Sequence, residues 1–321
     1  MKQLRLLVAG CILGSAAFGQ GASKPEAFEA QDDGPPAIVQ WAQGHKPEFA
    51  GKGGGAATKS SPLLTSHGGM VLTSTNVATI FWGKSWNGSD ASFKATEKMD
   101  GIAAFYNNVG NSAYVRSNIE YTGPGGTVVG PGVTLRGSVT DSATAAPSGA
   151  PVTSGILAKV CSVISSGQLS AIANGYYAVY VDTKRGNTGY CAWHTNGKCG
   201  QTPIEFGFFF NLDGDNACDP HADLSVHGQG VSALVNVSGH ELSETMTDPQ
   251  LNGWYDRQGE ENADKCAWTF STGNGVNNVS FGGTTWKIQG NWSNNAYNAN
   301  GGYTDPVKGF QKGCLDNVAT P

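Results

Sequence analysis

Residues 176–181 form the run YYAVYV, and this stretch decides the fold. Consecutive aromatic, β-branched or small apolar residues, without glycine or proline, are typical of a strand buried on both faces of a sheet. Two more apolar runs, VATIFW at 77–82 and FGFFF at 206–210, indicate neighbouring strands. Further strands are predicted at 114–121 and 133–139. A central sheet is therefore the first expectation.

Helices are expected between and after these strands. Ser89 or Asp90 can cap a helix that ends at Gly110. A short helix is predicted at 156–164 and the longest helix at about 230–246. This order of elements predicts an α+β fold, in which a mixed sheet carries a backing helix and the long helix, and a loop-rich, disulfide-bonded part follows.

The N-terminus has the features of an export signal. Lys2 and Arg5 precede an apolar stretch with a small-residue cleavage site, so we predict a signal peptide at 1–19. Residues 20–60 are rich in Gly, Ala and Pro, which predicts a linker or pro-segment that does not pack. Residues 61–318 are expected to form one globular domain.

Composition limits the partners and the location. The 321-residue chain has 46 glycines, 14% charged residues and a net charge of −5, so it lacks the basic excess needed to bind nucleic acid. No apolar stretch long enough to span a membrane follows the N-terminus. Cys11 ends a segment that resembles a bacterial lipobox, but the apolar stretch before it is short and continues beyond it, so we expect no lipid anchor. We expect a secreted, extracellular or periplasmic protein.

Cysteine content supports export. Six cysteines follow Cys11, and an even number in a secreted chain predicts three disulfides, with 15 ways to pair them. The candidates are Cys161, Cys191, Cys199, Cys218, Cys266 and Cys314. Two pairings are suggested by position alone: Cys191 with Cys199 in a small loop, and Cys266 with Cys314 around the C-terminal part.

The long predicted helix contains His240-Glu241-Leu242-Ser243-Glu244. Residues four apart lie on one face of a helix, so His240 and Glu244 can bind the same metal ion. Glu241 would then lie near an open coordination position, where it can take a proton from water. The pattern resembles the HExxH motif of the zincin metalloproteases, with glutamate in place of the second histidine.

The segment after this helix extends the resemblance. Glu261 and Asp264 follow within about 25 residues of His240. In zincins that use a distant glutamate as third ligand, an aspartate a few residues later orients the first histidine; the resemblance thus implies Glu261 as a ligand and Asp264 as that second contact. One divalent ion is expected. Zinc fits the motif, and manganese or calcium fits the two carboxylates.

Other interpretations stay open at this stage. The acidic residues of the helix can be solvated rather than bound to metal. Asp213, Asp215 and Asp219 resemble a calcium loop but lack the EF-hand register, and a polar turn is the favoured interpretation. His194, His221 and His227 could approach the helix, although nothing in their spacing shows it. Aromatic residues after 270 could equally contact sugar rings or form core.

Several segments resemble the PHI-1/EXORDIUM family of plants and its bacterial relatives. They are SPLLT at 61–65, the strand ending in WG at 82–83, TDP at 247–249 with GWY at 253–255, AYNANG at 296–301, DP at 305–306, and Cys314. The resemblance implies a secreted, cell-wall or extracellular protein, linked in plants to cell expansion and growth signalling. It implies no particular reaction.

The combined expectation is a secreted EXORDIUM-like protein with a zincin-like helix. It would be a metallopeptidase-like hydrolase that binds zinc through His240, Glu244 and Glu261, uses Glu241 to activate water, and cleaves an extracellular peptide or protein. The alternative is a non-catalytic extracellular or cell-wall-associated protein, which binds polysaccharide or acts in growth signalling, and whose acidic helix is structural.

Overall fold

The computed structural model describes residues 39–46 and 61–318. The helices are α1 Ala95–Asn108, α2 Thr153–Ser165, α3 Gln229–Thr247 and α4 Asn294–Asn298. The strands are β1 Val39–Trp41, β2 Thr65–Ser66, β3 Thr75–Trp82, β4 Val133–Asp141, β5 Gly175–Lys184, β6 Tyr190–Cys199, β7 Thr202–Asn211, β8 Trp254–Tyr255, β9 Val279–Phe281, β10 Thr284–Trp286, β11 Asn291–Trp292, β12 Gly302–Asp305, β13 Gly309–Lys312 and β14 Cys314–Leu315.

Six strands form the main sheet, in the order β1-β6-β7-β5-β3-β4. The strands β4, β3, β5 and β7 are parallel, whereas β6 is antiparallel to β7, and β1 is antiparallel to β6. The predicted α+β fold with a mixed sheet is confirmed. The runs at 77–82, 176–181 and 206–210 are the three adjacent strands β3, β5 and β7, so the most apolar stretches form the sheet centre.

The connections place the helices on both faces of the sheet. In the sheet, β4 lies on one side of β3 and β5 lies on the other. The crossover from β3 to β4 and the crossover from β4 to β5 therefore run in opposite directions across the sheet. Because such crossovers are right-handed, α1 and α2 lie on opposite faces. α1 packs on α3, where a Cβ on Gly101 would meet the Val231 side chain at 2.5 Å. α2 packs on β6 from the other face, with Leu157 against Gly197.

Some predicted elements differ from the structure. Residues 115–118 form a 3-10 turn rather than a strand, because the Ser117 hydroxyl donates to the Tyr114 carbonyl at 2.7 Å and closes the backbone locally. α1 begins at Ala95, since Asp90 instead caps the preceding turn through the Ser92 amide at 2.9 Å. Strand β6 was not predicted.

Part of the stretch that we assigned to a linker is packed. Val39 and Gln40 of β1 are buried and pair with β6, and Ala42 is also buried. The expectation that residues 20–60 do not pack therefore fails for residues 39–46. A three-residue edge strand inside a Gly- and Pro-rich stretch leaves too short an apolar run to be recognised. The predicted signal peptide, 1–19, lies outside the described residues.

Three disulfides join the six predicted cysteines, as Cys161–Cys199, Cys191–Cys218 and Cys266–Cys314. The suggested Cys266–Cys314 pair is confirmed, and the suggested Cys191–Cys199 pair is wrong. Both Cys191 and Cys199 lie on strand β6, and an extended strand rises about 3.3 Å per residue, so it holds them roughly 26 Å apart.

The loop-rich C-terminal part covers the face of α3 that points away from the sheet. Ile288 packs on Gly239 of α3, the Gln289 amide N–H donates to the Asn236 side chain at 2.9 Å, and the Trp292 amide donates to the Asn262 carbonyl. As a result α3 is buried from Val231 to Thr247. None of the helices in the described part of the chain has both the length and the apolar character of a membrane span.

Candidate metal centre

Helix α3 presents three of the predicted site residues. His240, Glu241 and Glu244 are all inaccessible to solvent. The His240 Nε2 atom lies 3.0 Å from Glu244 Oε1, which is the proximity expected of residues four apart on one helix face. The helix ends at Thr247, where the Asp248 side chain accepts from the Asn252 and Gly253 amides and closes the following turn.

Strand β6 brings His194 to the same helix. His194 Nδ1 lies 3.1 Å from Glu241 Oε2 in hydrogen-bond geometry and 3.5 Å from Glu244 Oε2. Its strand partner is Gly207, whose missing side chain leaves the room that the Tyr176 hydroxyl occupies. His194 was one of three histidines considered from the sequence, and the other two lie elsewhere: His221 is half exposed beside Asp219, and His227 stacks on Trp286.

The segment after the helix supplies two more acids. The Asp264 amide donates to Glu244 Oε1 at 3.0 Å, and Asp264 Oδ1 lies 3.7 Å from His240 Nε2. Glu261 Oε2 instead lies 3.6 Å from His194 Nε2. Asp264 therefore approaches the nitrogen of His240 that faces Glu244. On the other nitrogen, Nδ1, the contact is the Gln289 amide, 2.9 Å away. Gln289 thus has the orienting position that the resemblance assigns to Asp264.

Two groups of donor atoms could each hold a metal ion. One comprises His194, Glu241 and Glu244, and the other His240, Glu244 and Asp264; within each group the donor atoms lie within 4.8 Å of one another. Glu244 belongs to both. Glu261 belongs to neither, so the structure does not bring His240, Glu244 and Glu261 together as one such group. Asp264, which the resemblance implies as a contact of His240 rather than as a metal ligand, belongs to the second group of donor atoms.

Several buried polar atoms of these groups have no hydrogen-bond partner within the described residues. They are His194 Nε2, His240 Nε2, Glu241 Oε1 and Glu244 Oε2. Most buried polar atoms in proteins are paired, because an unpaired one costs about 1–3 kcal/mol or more if it is charged. Atoms left unpaired around imidazoles and carboxylates fit a bound cation, and the donor set suits a divalent ion.

Burial and mutual contact shift the pKa values of the site. Burial opposes protonation of His194 and His240, but the neighbouring glutamates outweigh it and raise the two pKa values to about 10 and about 9. Burial raises the pKa of Glu241 and, together with the charge of Glu244, that of Glu261 and Asp264. Against the opposing effect of burial, the two histidines hold the pKa of Glu244 below its usual range. Glu244 is therefore the carboxylate that stays ionised most readily.

Two further acids lie near this cluster. Glu205 of β7 is 1% exposed and neither of its carboxyl oxygens has a hydrogen-bond partner among the described residues. Burial raises its pKa to about 8 and also raises that of Asp248. With Glu205 and Asp248 the region contains six carboxyl groups and two imidazoles. Because the carboxyl groups outnumber the imidazoles, their negative charge must be reduced by protonation or balanced by a bound cation.

The suggested calcium loop is a polar turn. Asp213 pairs with the buried Lys98 at 2.6 Å, and Asp215 accepts two hydrogen bonds from Arg185. Cations of the protein therefore already neutralise these acids.

The three disulfides of the fold are compatible with an extracellular protein.

Comparison with known proteins finds no match to this chain among family models, curated proteins or solved structures.

Proposed function

We propose that this chain is a secreted, EXORDIUM-like hydrolase that depends on a divalent metal ion and cleaves peptide bonds. The observation that carries the proposal is the almost fully buried cluster around α3, where imidazole and carboxylate atoms converge and several of them lack a hydrogen-bond partner among the described residues. The HExxE pattern on α3, in an α+β domain with disulfides, supports metal-dependent hydrolysis as the chemistry of this site.

The group of His240, Glu244 and Asp264 is the better placed to hold the ion. His240 Nε2 has no hydrogen-bond partner in the described chain, although Glu244 and Asp264 oxygens lie close to it. In the other group, His194 Nδ1 already makes a hydrogen bond to Glu241. The Gln289 amide, 2.9 Å from Nδ1, fixes the orientation of the ring and leaves Nε2 directed at Glu244. When bound, a divalent ion supplies a Lewis acid that polarises a carbonyl and acidifies water.

The chain's own acid–base group is Glu241. Its Oε2 is held by His194, and its Oε1 has no hydrogen-bond partner in the part of the chain that the structure describes, so one oxygen remains to accept a proton from water. Glu261, near the second nitrogen of His194, can fix the ring of that histidine. Glu241 thus receives a defined orientation from a strand on the opposite side of the site.

One observation favours the alternative, a non-catalytic extracellular or cell-wall-associated protein. All three helix residues of the site are inaccessible to solvent, and a buried ion without substrate access would be structural. Among the site residues only Asp264 has an exposed side chain, by 12%, where it borders a groove.

Metal analysis of the purified, exported protein is the first test. We expect about one divalent ion per chain, and absence of stoichiometric metal would refute both the metal centre and the hydrolase. With metal present, Glu241→Gln should retain the ion and lower peptide hydrolysis by roughly 10²–10⁴-fold, the usual contribution of a general base. Glu97→Gln, whose carboxylate is exposed, is the matched control. Metal without hydrolysis, both in the intact chain and after cleavage within residues 47–60, would support the structural alternative.

A further inference from the structure

Residues 39–46, here called the cover segment, lie beside Asp264, the partly exposed member of the site. Trp41, Gln43 and Lys46 of this segment line a groove of about 340 Å³ together with Asp264 and Trp268. Asp264 is the site residue that lines this groove, so the cover segment forms one wall of a groove that borders the site.

The cover segment is bound as an added strand. Val39 pairs with Trp193 and Gln40 with Ala192 on β6, in antiparallel register, one to two residues from His194. Without the segment, β6 would be an edge strand with unpaired backbone groups. An exposed edge of this kind binds extended peptides by strand addition, through main-chain hydrogen bonds. The strand that carries His194 therefore has an edge with which an extended peptide could pair in place of the cover segment.

The segment also reaches the site through a side chain. Gln40 is buried and lies on the same face of the sheet as His194, because its partner Ala192 precedes His194 by two residues. Gln40 Nε2 donates to Gln289 Oε1 at 3.0 Å, and the amide nitrogen of Gln289 contacts His240. Gln289 thus connects Gln40 of the cover segment to His240, the candidate metal ligand.

Polar contacts hold the rest of the segment. The Ala42 and Gln43 amides donate to the Gly189 and Ala217 carbonyls, at 2.9 and 2.8 Å, and the Trp268 indole donates to the Trp41 carbonyl at 2.7 Å. Lys46 pairs with Glu260. These are mainly backbone contacts, which another extended peptide could make equally well.

We infer that the cover segment occupies the position of an extended peptide substrate and blocks the site until it is released. The inference rests on the proposed function and adds to it a substrate class, an extended peptide, and a form of regulation. The segment is tethered to the domain through residues 47–60, whose sequence includes GKGGGAA at 51–57. A break within 47–60 would turn the tethered segment into a dissociable peptide.

The test uses the full chain, loaded with metal, in which residues 51–57 are replaced by the recognition sequence of a specific protease. The probe is a fluorescein-labelled synthetic peptide of residues 39–46, followed by fluorescence anisotropy. We expect it to bind the chain after cleavage and not before. A peptide carrying Gln40→Ala should bind roughly tenfold more weakly, the loss expected of one buried hydrogen bond, and a scrambled peptide should not bind.

Unfolded casein provides the substrate arm. We expect casein to displace the labelled peptide, and casein hydrolysis to rise at least about tenfold on cleavage, because the blocked state keeps most sites incompetent. Equal probe binding to cleaved and uncleaved chains, or failure of casein to compete, would overturn the inference.

The two proposals fail separately. Absence of metal, or absence of hydrolysis by a metal-loaded chain that binds casein, refutes the proposed hydrolase and leaves the docking edge in place. Hydrolysis that is equally fast before and after cleavage supports the hydrolase and refutes blocking by the cover segment.

Discussion

Replacement of Glu205 by glutamine should stabilise the metal-free protein at neutral pH but not at acid pH. Glu205 lies on β7 at 1% exposure, and neither carboxyl oxygen has a hydrogen-bond partner in the described chain. Burial without a partner disfavours the carboxylate and raises the pKa of Glu205 from 4.5 to about 8. Glutamine has nearly the same shape and carries no charge at either pH, so it removes this cost.

The direction in which stability changes with pH follows from the number of protons that the folded and the unfolded chain bind. Between about pH 4.5 and about pH 8 the unfolded chain has an ionised Glu205, whereas the folded chain keeps it protonated. The folded state then binds more protons, so stability falls as pH rises through this window. At about 1.4 kcal/mol per pKa unit, the full penalty above pH 8 is of the order of 4–5 kcal/mol, and about 3 kcal/mol of it develops between about pH 5 and about pH 7.5.

The assay is urea denaturation followed by tryptophan fluorescence, with a chelator present and the disulfides intact. The quantity compared is the free energy of unfolding of Glu205→Gln minus that of the wild type, at about pH 5 and about pH 7.5. Contributions of His194 and Asp264 are common to both proteins and largely cancel. Glu97→Gln, at an exposed position, controls for net charge. If the difference does not grow with pH, Glu205 is not a buried acid forced to keep its proton.

Three further predictions concern the parts of the fold that support the site. Lys287→Met should cost about 3 kcal/mol or more, because the buried ammonium donates to the Thr272, Gly273 and Val276 carbonyls, and urea titration would measure the loss. Cys191→Ser with Cys218→Ser should cost about 3.5 kcal/mol, from the loop entropy of a 27-residue separation, and should lower the melting temperature in calorimetry. Gly101→Ala should cost about 1–3 kcal/mol by pushing α1 from α3, and an unchanged melting temperature would show that the crossing can widen.

The sequence was sufficient to predict the elements with strong local signals. The apolar runs at β3, β5 and β7 are recognisable as central strands, and the predicted long helix at about 230–246 agrees with α3 to within one residue at each end. The cysteine count predicted three disulfides. These are features that a short window of residues determines.

The rest depends on contacts between distant residues. β6 has the sequence YCAWHTNGKC, which mixes polar and small residues and lacks a continuous apolar run. His194 of this strand is buried against Glu241 and Glu244, which follow about fifty positions later in the chain. Gln289 was missed for the same reason: a glutamine in a loop-rich stretch carries no local signal, and its contact with His240 depends on how the C-terminal part covers α3.

The arrangement of α3 explains why its polar residues indicate a site rather than a surface. A helix with Asn236, Ser238, His240, Glu241 and Glu244 would ordinarily turn these side chains to water, yet every one of them is inaccessible. The sheet covers one side of the helix and the disulfide-anchored C-terminal part covers the other, so no rotation about the helix axis exposes them. Some neutral polar side chains of α3 are bonded internally, since Ser238 donates to the Leu234 carbonyl and Asn236 accepts from the Gln289 amide. Asn236 Nδ2 and Ser243 Oγ have no hydrogen-bond partner among the described residues. The imidazoles and carboxylates keep unpaired atoms. What distinguishes the ionisable groups is that their unpaired atoms converge from α3 and β6 on the same small region, where one cation would be a partner for several of them at once.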